Sequence, residues 1–65
     1  MFAERLKELR LKTNTPQAQL ADLLSVSIRA YQYYESGRRQ PTIENLIALA
    51  DFFDVSLDYL CGRDR

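Results

Sequence analysis

The sequence has no histidine, one cysteine (Cys61), two glycines and two prolines. Each scarcity removes some chemistry. Without histidine there is no imidazole general base and no His-based triad. A lone cysteine excludes an internal disulfide, and without histidine it cannot build a zinc finger. Cys61 therefore reads as a small apolar residue or an idle thiol. No glycine-rich phosphate loop is present, and no nucleophile is paired with a base. An enzyme is not expected, nor is any metal or cofactor. Apolar runs all fall short of a membrane span, and the N-terminus, Met1-Phe2-Ala3-Glu4-Arg5, is charged too early for a signal peptide. A reduced, cytoplasmic location is expected, with no membrane partner. Past Gly62 there is no room for an inducer pocket, so no small-molecule ligand is expected either.

What is present fits one small globular domain over residues 1–65, with 46% hydrophobic and 28% charged residues. A chain of this size buries roughly 60% of the surface it exposes when unfolded, so its core must be dense. Nine basic and nine acidic side chains cancel, but they are not evenly spread. Residues 1–42 hold seven basic against four acidic side chains, a net of +3, and residues 43–65 hold two against five, a net of −3. One end can face a polyanion while the other stays clear of it.

Periodicity gives five helices and no strand, hence an all-α fold. Phe2, Leu6 and Leu9 mark an amphipathic helix ending near Lys12. Thr15 is expected to cap a second helix, with Pro16 at its first position, where a missing N–H costs nothing. Leu20, Ala21 and Leu24 form its buried stripe. Ser27 caps a third helix that stops at Gly37, and the spacing of Val26 and Tyr31 is that of a hydrophobic staple. Arg38-Arg39-Gln40-Pro41 is an extended loop. Thr42 caps a fourth helix with Leu46, Leu49, Ala50 and Phe53 inward. Val55 and Ser56 repeat the staple and cap for a short fifth helix, with Leu60 at the staple's far end.

Residues 20–27, LADLLSVS, echo residues 49–56, LADFFDVS. Both read as a helix end, a tight turn and the cap of the next helix. Such a corner is common between packed helices, so the following residues must decide. After Ser27 come nine residues and then two arginines; after Ser56 only LDYLC follows, among acidic residues. The first unit is assigned function and the second structure. On the third helix Tyr31 and Tyr34 face the core with Phe2 and Phe53, and Glu35 lies beside Tyr31. Ile28, Arg29, Gln32 and Tyr33 point outward. Arginine can pair with guanine, glutamine with adenine, and isoleucine can meet a thymine methyl. For these residues a solvated helix face is the plainer alternative, and Ile28 needs no explanation as a half-exposed apolar residue.

Taken in order, Gln17-x-x-Leu20-Ala21, Val26-Ser27, Tyr34-Glu35-x-Gly37 and Pro41 resemble the Cro/C1-type helix-turn-helix family, also called the xenobiotic-response-element family. Residues 55–62, VSLDYLCG, are similar to the end of that domain. The resemblance implies a lambda-repressor-like five-helix domain, similar to the lambdoid phage repressors. It implies a transcriptional regulator, in particular a repressor, acting as a homodimer on a palindromic double-stranded DNA operator. The dimer can form on the DNA itself. By position, Gln17 holds a phosphate, Ser27, Ile28, Arg29, Gln32 and Tyr33 meet bases and nearby phosphates, and Arg38, Arg39 and Gln40 meet the backbone. Arg10 and Glu35 match an ion pair joining the first helix to the third. Three positions depart from the family pattern: Ser25 stands where glycine is frequent, Thr15 where leucine is usual, and Pro16 where serine or threonine is common.

The alternatives are an antitoxin subunit with the same DNA chemistry, or a protein-interaction module on the same fold. The module predicts acidic or apolar residues at 28, 29, 32 and 33 and no basic loop; Arg29, Arg38 and Arg39 weigh against it. The expected dimer surface is the fifth helix, where Leu57, Tyr59, Leu60 and Cys61 look more apolar than the core requires.

Overall fold

Five helices follow one another in the computed structural model: α1 (Phe2–Lys12), α2 (Gln17–Leu23), α3 (Ile28–Ser36), α4 (Ile43–Phe53) and α5 (Leu57–Leu60). Residues 1–62 are described. Arg63, Asp64 and Arg65, three charges of the acidic half, lie outside the described residues. No strand occurs among the described residues.

The stripes read from the sequence meet in one core. Leu6 and Leu9 of α1, Leu20 and Ala21 of α2 with Leu24, Tyr31 and Tyr34 of α3, Leu49 and Ala50 of α4, and Leu60 of α5 are all buried. Phe2, Val26, Leu46, Phe53 and Val55 pack around them. Leu6, Leu20, Leu49 and Leu60 are wholly covered, each worth about 1.5–3 kcal/mol against exposure. Helix α3 packs on both α1 and α2, while α5 joins α4 to α1. The last contact is polar as well as apolar: Arg5 Nη1 donates to the Tyr59 carbonyl at 3.1 Å. The Arg5 guanidinium also lies 4.3 Å from the centre of the Tyr59 ring, within cation–π range.

Three helix starts carry the expected cap. The hydroxyls of Ser27, Thr42 and Ser56 accept from the backbone N–H of Ala30, Asn45 and Tyr59. The start of α2 differs from expectation. Pro16 is the N-cap, Gln17 is the first helical residue, and Thr15 caps nothing. Thr15 has better partners: its hydroxyl shares a 2.7 Å hydrogen bond with that of Thr13, and its N–H donates to the Arg10 carbonyl at 3.0 Å. Thus satisfied, Thr15 is buried, which a polar residue tolerates once it is bonded.

Helix ends share one device. A residue with positive φ stands at the C-cap of α3 and α4 and just after the C-cap of α1, α2 and α5: Asn14 (55°), Ser25 (58°), Gly37 (81°), Asp54 (56°) and Gly62 (76°). After α2, the Val26 N–H reaches the Ala21 carbonyl (2.9 Å) and the Ser25 N–H the Asp22 carbonyl (3.1 Å). After α4, Val55 reaches Ala50 (3.0 Å) and Asp54 reaches Asp51 (3.2 Å). These are paired Schellman bonds, and they give the LADLLSVS–LADFFDVS echo its structural meaning. Four backbone groups are tied off identically, twice.

The fifth helix is not the open apolar surface expected. Leu60 is wholly buried, and Leu57 and Tyr59 are partly buried against the core, with Cys61 half-buried. A four-residue helix at the chain's edge is needed to close the core beneath it. Among the exposed apolar residues are Ile43 and Ile47, one turn apart on α4.

Candidate nucleic-acid interface

Helix α3 is held on one side by Tyr31 and Tyr34, whose rings meet edge to face with centroids 6.4 Å apart. That contact fixes its roll. Nine residues at 100° each then leave Ile28, Arg29 and Gln32 exposed, with Tyr33 half-covered. Ile28 keeps 47% of its surface exposed. Arg29 is exposed, and its side chain makes no hydrogen bond or ion pair to any described residue. Ser27, at the entry to the helix, is committed to its cap with Ala30 N at 3.0 Å.

Tyr33 is not a free outward group. Arg38 and Arg39, beyond the Gly37 stop, place their guanidinium carbons 5.9 Å and 5.7 Å from its ring centre. Both arginines also donate their backbone N–H to the Tyr33 carbonyl, at 3.0 Å and 3.3 Å. The loop is therefore folded back on the last turn of α3. Arg38, Arg39 and Gln40 remain exposed, so two positive charges stand beside the outward face of the helix.

Below that face is a polar network centred on Glu35. Arg10 grips the carboxylate with two nitrogens, Nε on Oε2 and Nη2 on Oε1, the latter at 3.3 Å. A third nitrogen, Nη1, donates to the Thr15 carbonyl at 3.2 Å. The side chains of Arg10 and Glu35 are only 14% and 6% exposed. Tyr31 Oη donates to Oε2 at 2.6 Å, and Gln17 Nε2 to Oε1 at 3.3 Å. Gln17 Oε1 in turn accepts from Gln32 Nε2 at 3.1 Å. Glu35 thus has four donors, and no described buried side-chain polar atom is left unbonded. The hydrogen bonds that Arg10 donates to the Glu35 carboxylate hold its guanidinium above its ordinary range. Burial first, and then the bonded Glu35 carboxylate, push the Tyr31 hydroxyl far above the tyrosine range.

The predicted residues therefore differ in how far they are already engaged. Ile28 and Arg29 are uncommitted, Gln17 and Gln32 are bonded to each other, and Tyr33 is roofed by Arg38 and Arg39. The links from Gln17 to Glu35 and to Gln32 escaped sequence reasoning. They join residues 18 and 15 positions apart on different helices, and no local periodicity reports that. Among the described residues there is no group of metal-binding side chains. No described helix is long and apolar enough to cross a membrane.

A family model described as helix-turn-helix matches residues 6–60. The cryptic phage CTXphi transcriptional repressor RstR of Vibrio cholerae is 48% identical over 60 residues, covering 92% of this chain and 54% of that protein. The HTH-type transcriptional regulator AnsR of Bacillus subtilis is 46% identical over 65 residues, or 100% of this chain and 56% of that protein. The chain thus spans just over half the length of these relatives. Among solved structures, a transcriptional regulator from Listeria innocua matches with a TM-score of 0.95 at 42% identity, covering 100% of this chain and 61% of its own. The P22 c2 repressor, solved in complex with a synthetic operator, matches with a TM-score of 0.87 at 34% identity. That match covers 98% of this chain and 97% of the repressor chain.

Proposed function

The chain belongs to the helix-turn-helix family, and on that premise we propose that it binds double-stranded DNA sequence-specifically and regulates transcription as a repressor. The observation that carries the reading is one face of the molecule. Exposed Ile28, Arg29 and Gln32 of α3 lie beside the exposed guanidinium groups of Arg38 and Arg39. A helix with an arginine, a glutamine and a branched apolar residue near its N-terminus suits base edges in the major groove. The flanking arginines suit the phosphate backbone, which supplies most of the affinity but no sequence information. The operator complex of the P22 c2 repressor, nearly all of whose chain overlaps this one, supports the assignment.

In this reading Arg29 pairs with guanine, Gln32 with adenine, and Ile28 meets a thymine methyl. Arg38, Arg39 and Gln40 hold the backbone. Ser27 serves mainly as the cap that starts the helix, and Tyr33 mainly as the seat of the two arginines. Residues 1–65 act as one binding domain in the cytoplasm, a binder and not a catalyst, using no metal or cofactor. One such module covers too little DNA for regulatory affinity. Two copies about a two-fold axis reading half-sites about 10 bp apart supply the rest, and the dimer can form on the operator.

Mobility shift with the region upstream of the chain's own gene tests this directly. The expected result is a shifted complex that survives excess scrambled duplex. Equal loss of the complex to specific and scrambled competitors contradicts sequence reading.

A further inference from the structure

We propose that Gln17 is a positioning residue: it fixes which way the Gln32 amide faces, and through it the base preference at the pair Gln32 meets. The inference rests on the DNA reading proposed above and gives Gln17 a different role from the phosphate contact that the family resemblance implies.

The direction of the relay is set at its inner end. A carboxylate only accepts hydrogen bonds. Glu35 Oε1 therefore admits only the nitrogen of the Gln17 amide, which sits 3.3 Å away. With Nε2 held inward, Gln17 Oε1 must face outward, and an oxygen there admits only the nitrogen of Gln32, at 3.1 Å. An amide's oxygen and nitrogen are nearly equal in shape, so a free glutamine can turn either way. Here the charge state of one buried residue selects the orientation of two glutamines in series. Glu35 is itself held in place, by two nitrogens of Arg10 and by the Tyr31 hydroxyl as a third donor.

The consequence appears at the exposed end. Gln32 gives one N–H to Gln17 and keeps its carbonyl oxygen and a second N–H. Adenine offers one donor and one acceptor in the major groove, and a glutamine amide matches them with that same pair. Without the tether, Gln32 on an exposed helix face samples both orientations and several rotamers. Gln17 is well placed for this duty: it is half-buried at the first residue of α2, on a helix packed directly against α3.

Gln17→Met keeps the length and helix propensity of the side chain and removes both amide atoms. The test uses duplexes that the wild-type chain enriches from a random pool. Wild type, Gln17→Met, Gln32→Ala and the double variant are compared on the enriched duplex and its single-base variants, at several salt concentrations. The expected result is a loss of discrimination of roughly 3-fold or more at the base pair where Gln32→Ala also acts. The salt dependence should be unchanged, with no further loss in the double variant. Equal weakening on every sequence, with the log–log salt slope reduced by about one, makes Gln17 a phosphate ligand and overturns the proposal. Unchanged binding also overturns it. The free protein gives a second readout, independent of DNA. The two side-chain amide protons of Gln32 should be distinct and slowly exchanging in wild type, and should move toward solvent-exposed glutamine positions in Gln17→Met. If they do not move, the tether is absent. If wild type enriches no duplex, DNA reading itself has failed, whereas enrichment without coupling between residues 17 and 32 sinks only this inference.

Discussion

Glu35 gathers two nitrogens of Arg10, the Tyr31 hydroxyl and the Gln17 amide, so removing one partner strands a charge that burial has already made costly. For a domain of this size total stability is roughly 3–10 kcal/mol. Arg10→Ala should cost about 3 kcal/mol, read as a lower midpoint in urea. Replacing Arg10 and Glu35 together with apolar residues of similar volume should cost less, because no charge is left behind. Equal midpoints for wild type and Arg10→Ala would show the pair to be energetically idle. A pH dependence follows from Tyr31. Its hydroxyl titrates higher in the folded chain than in the unfolded one, so the native state holds the proton longer. The stability from that difference is complete below the unfolded tyrosine value of about 10 and is lost as pH rises above it. Tyr31→Phe should lower stability at neutral pH and make the decline above about pH 10 shallower in alkaline denaturation. The Tyr31–Glu35 contact was legible in the sequence, since four residues separate the two on one helix. Arg10 with Glu35 was legible only through family resemblance, and Gln17 with Glu35 not at all.

Helix starts were easier to read than this network because capping chemistry is local. Serine or threonine before an apolar run marked α3, α4 and α5 correctly. The same rule misplaced the start of α2, where Thr15 has a stronger claim on Thr13 than on the helix. Helix ends show why glycine alone is an incomplete signal. All five have a left-handed residue at the C-cap or directly after it, yet only Gly37 and Gly62 are glycine. The echo between residues 20–27 and 49–56 was visible, but the left-handed state of Ser25 and Asp54 comes from the pairs of Schellman bonds that close each corner. Ser25 is exposed, so nothing is lost in packing if its side chain is removed. Ser25→Gly should stabilise by up to about 1 kcal/mol, reduced in part by the extra freedom of the unfolded glycine. For a domain this small that raises the melting temperature by as much as about 4–8 °C. Ser25→Val should lower it, because a branched side chain suits positive φ least. A rise for valine and a fall for glycine would mean that the turn relaxes away from φ 58°. The fifth helix was legible only in part: the core it closes takes all of Leu60 and some of Leu57, Tyr59 and Cys61, which stay half-buried.

Across the whole molecule, charge asymmetry replaces net charge as the guide to partners. The first forty-two residues carry the net positive charge, and in the fold their arginines at 29, 38 and 39 cluster around α3. With two such faces on one operator, footprinting should protect two symmetric half-sites about 10 bp apart; protection of a single asymmetric half-site would refute the dimeric arrangement. Reading and holding also separate here by position. Arg29 is exposed at the second residue of α3, where the proposed docking brings base edges within reach. Arg38 lies past the Gly37 stop, against Tyr33, where the proposed docking makes phosphates the nearest target. Both are surface residues, so neither substitution to alanine should lower the melting temperature by much. The decisive measurement is the affinity of Arg29→Ala and Arg38→Ala for the operator and its single-base variants across a range of salt. Arg29→Ala should lose about 1–3 kcal/mol and relax preference at one base pair in each half-site. Arg38→Ala should weaken binding to all sequences alike and lower the log–log salt slope by about one. If Arg29→Ala instead shows the same uniform loss with base preference intact, α3 does not read sequence through Arg29, and the proposed interface is wrong.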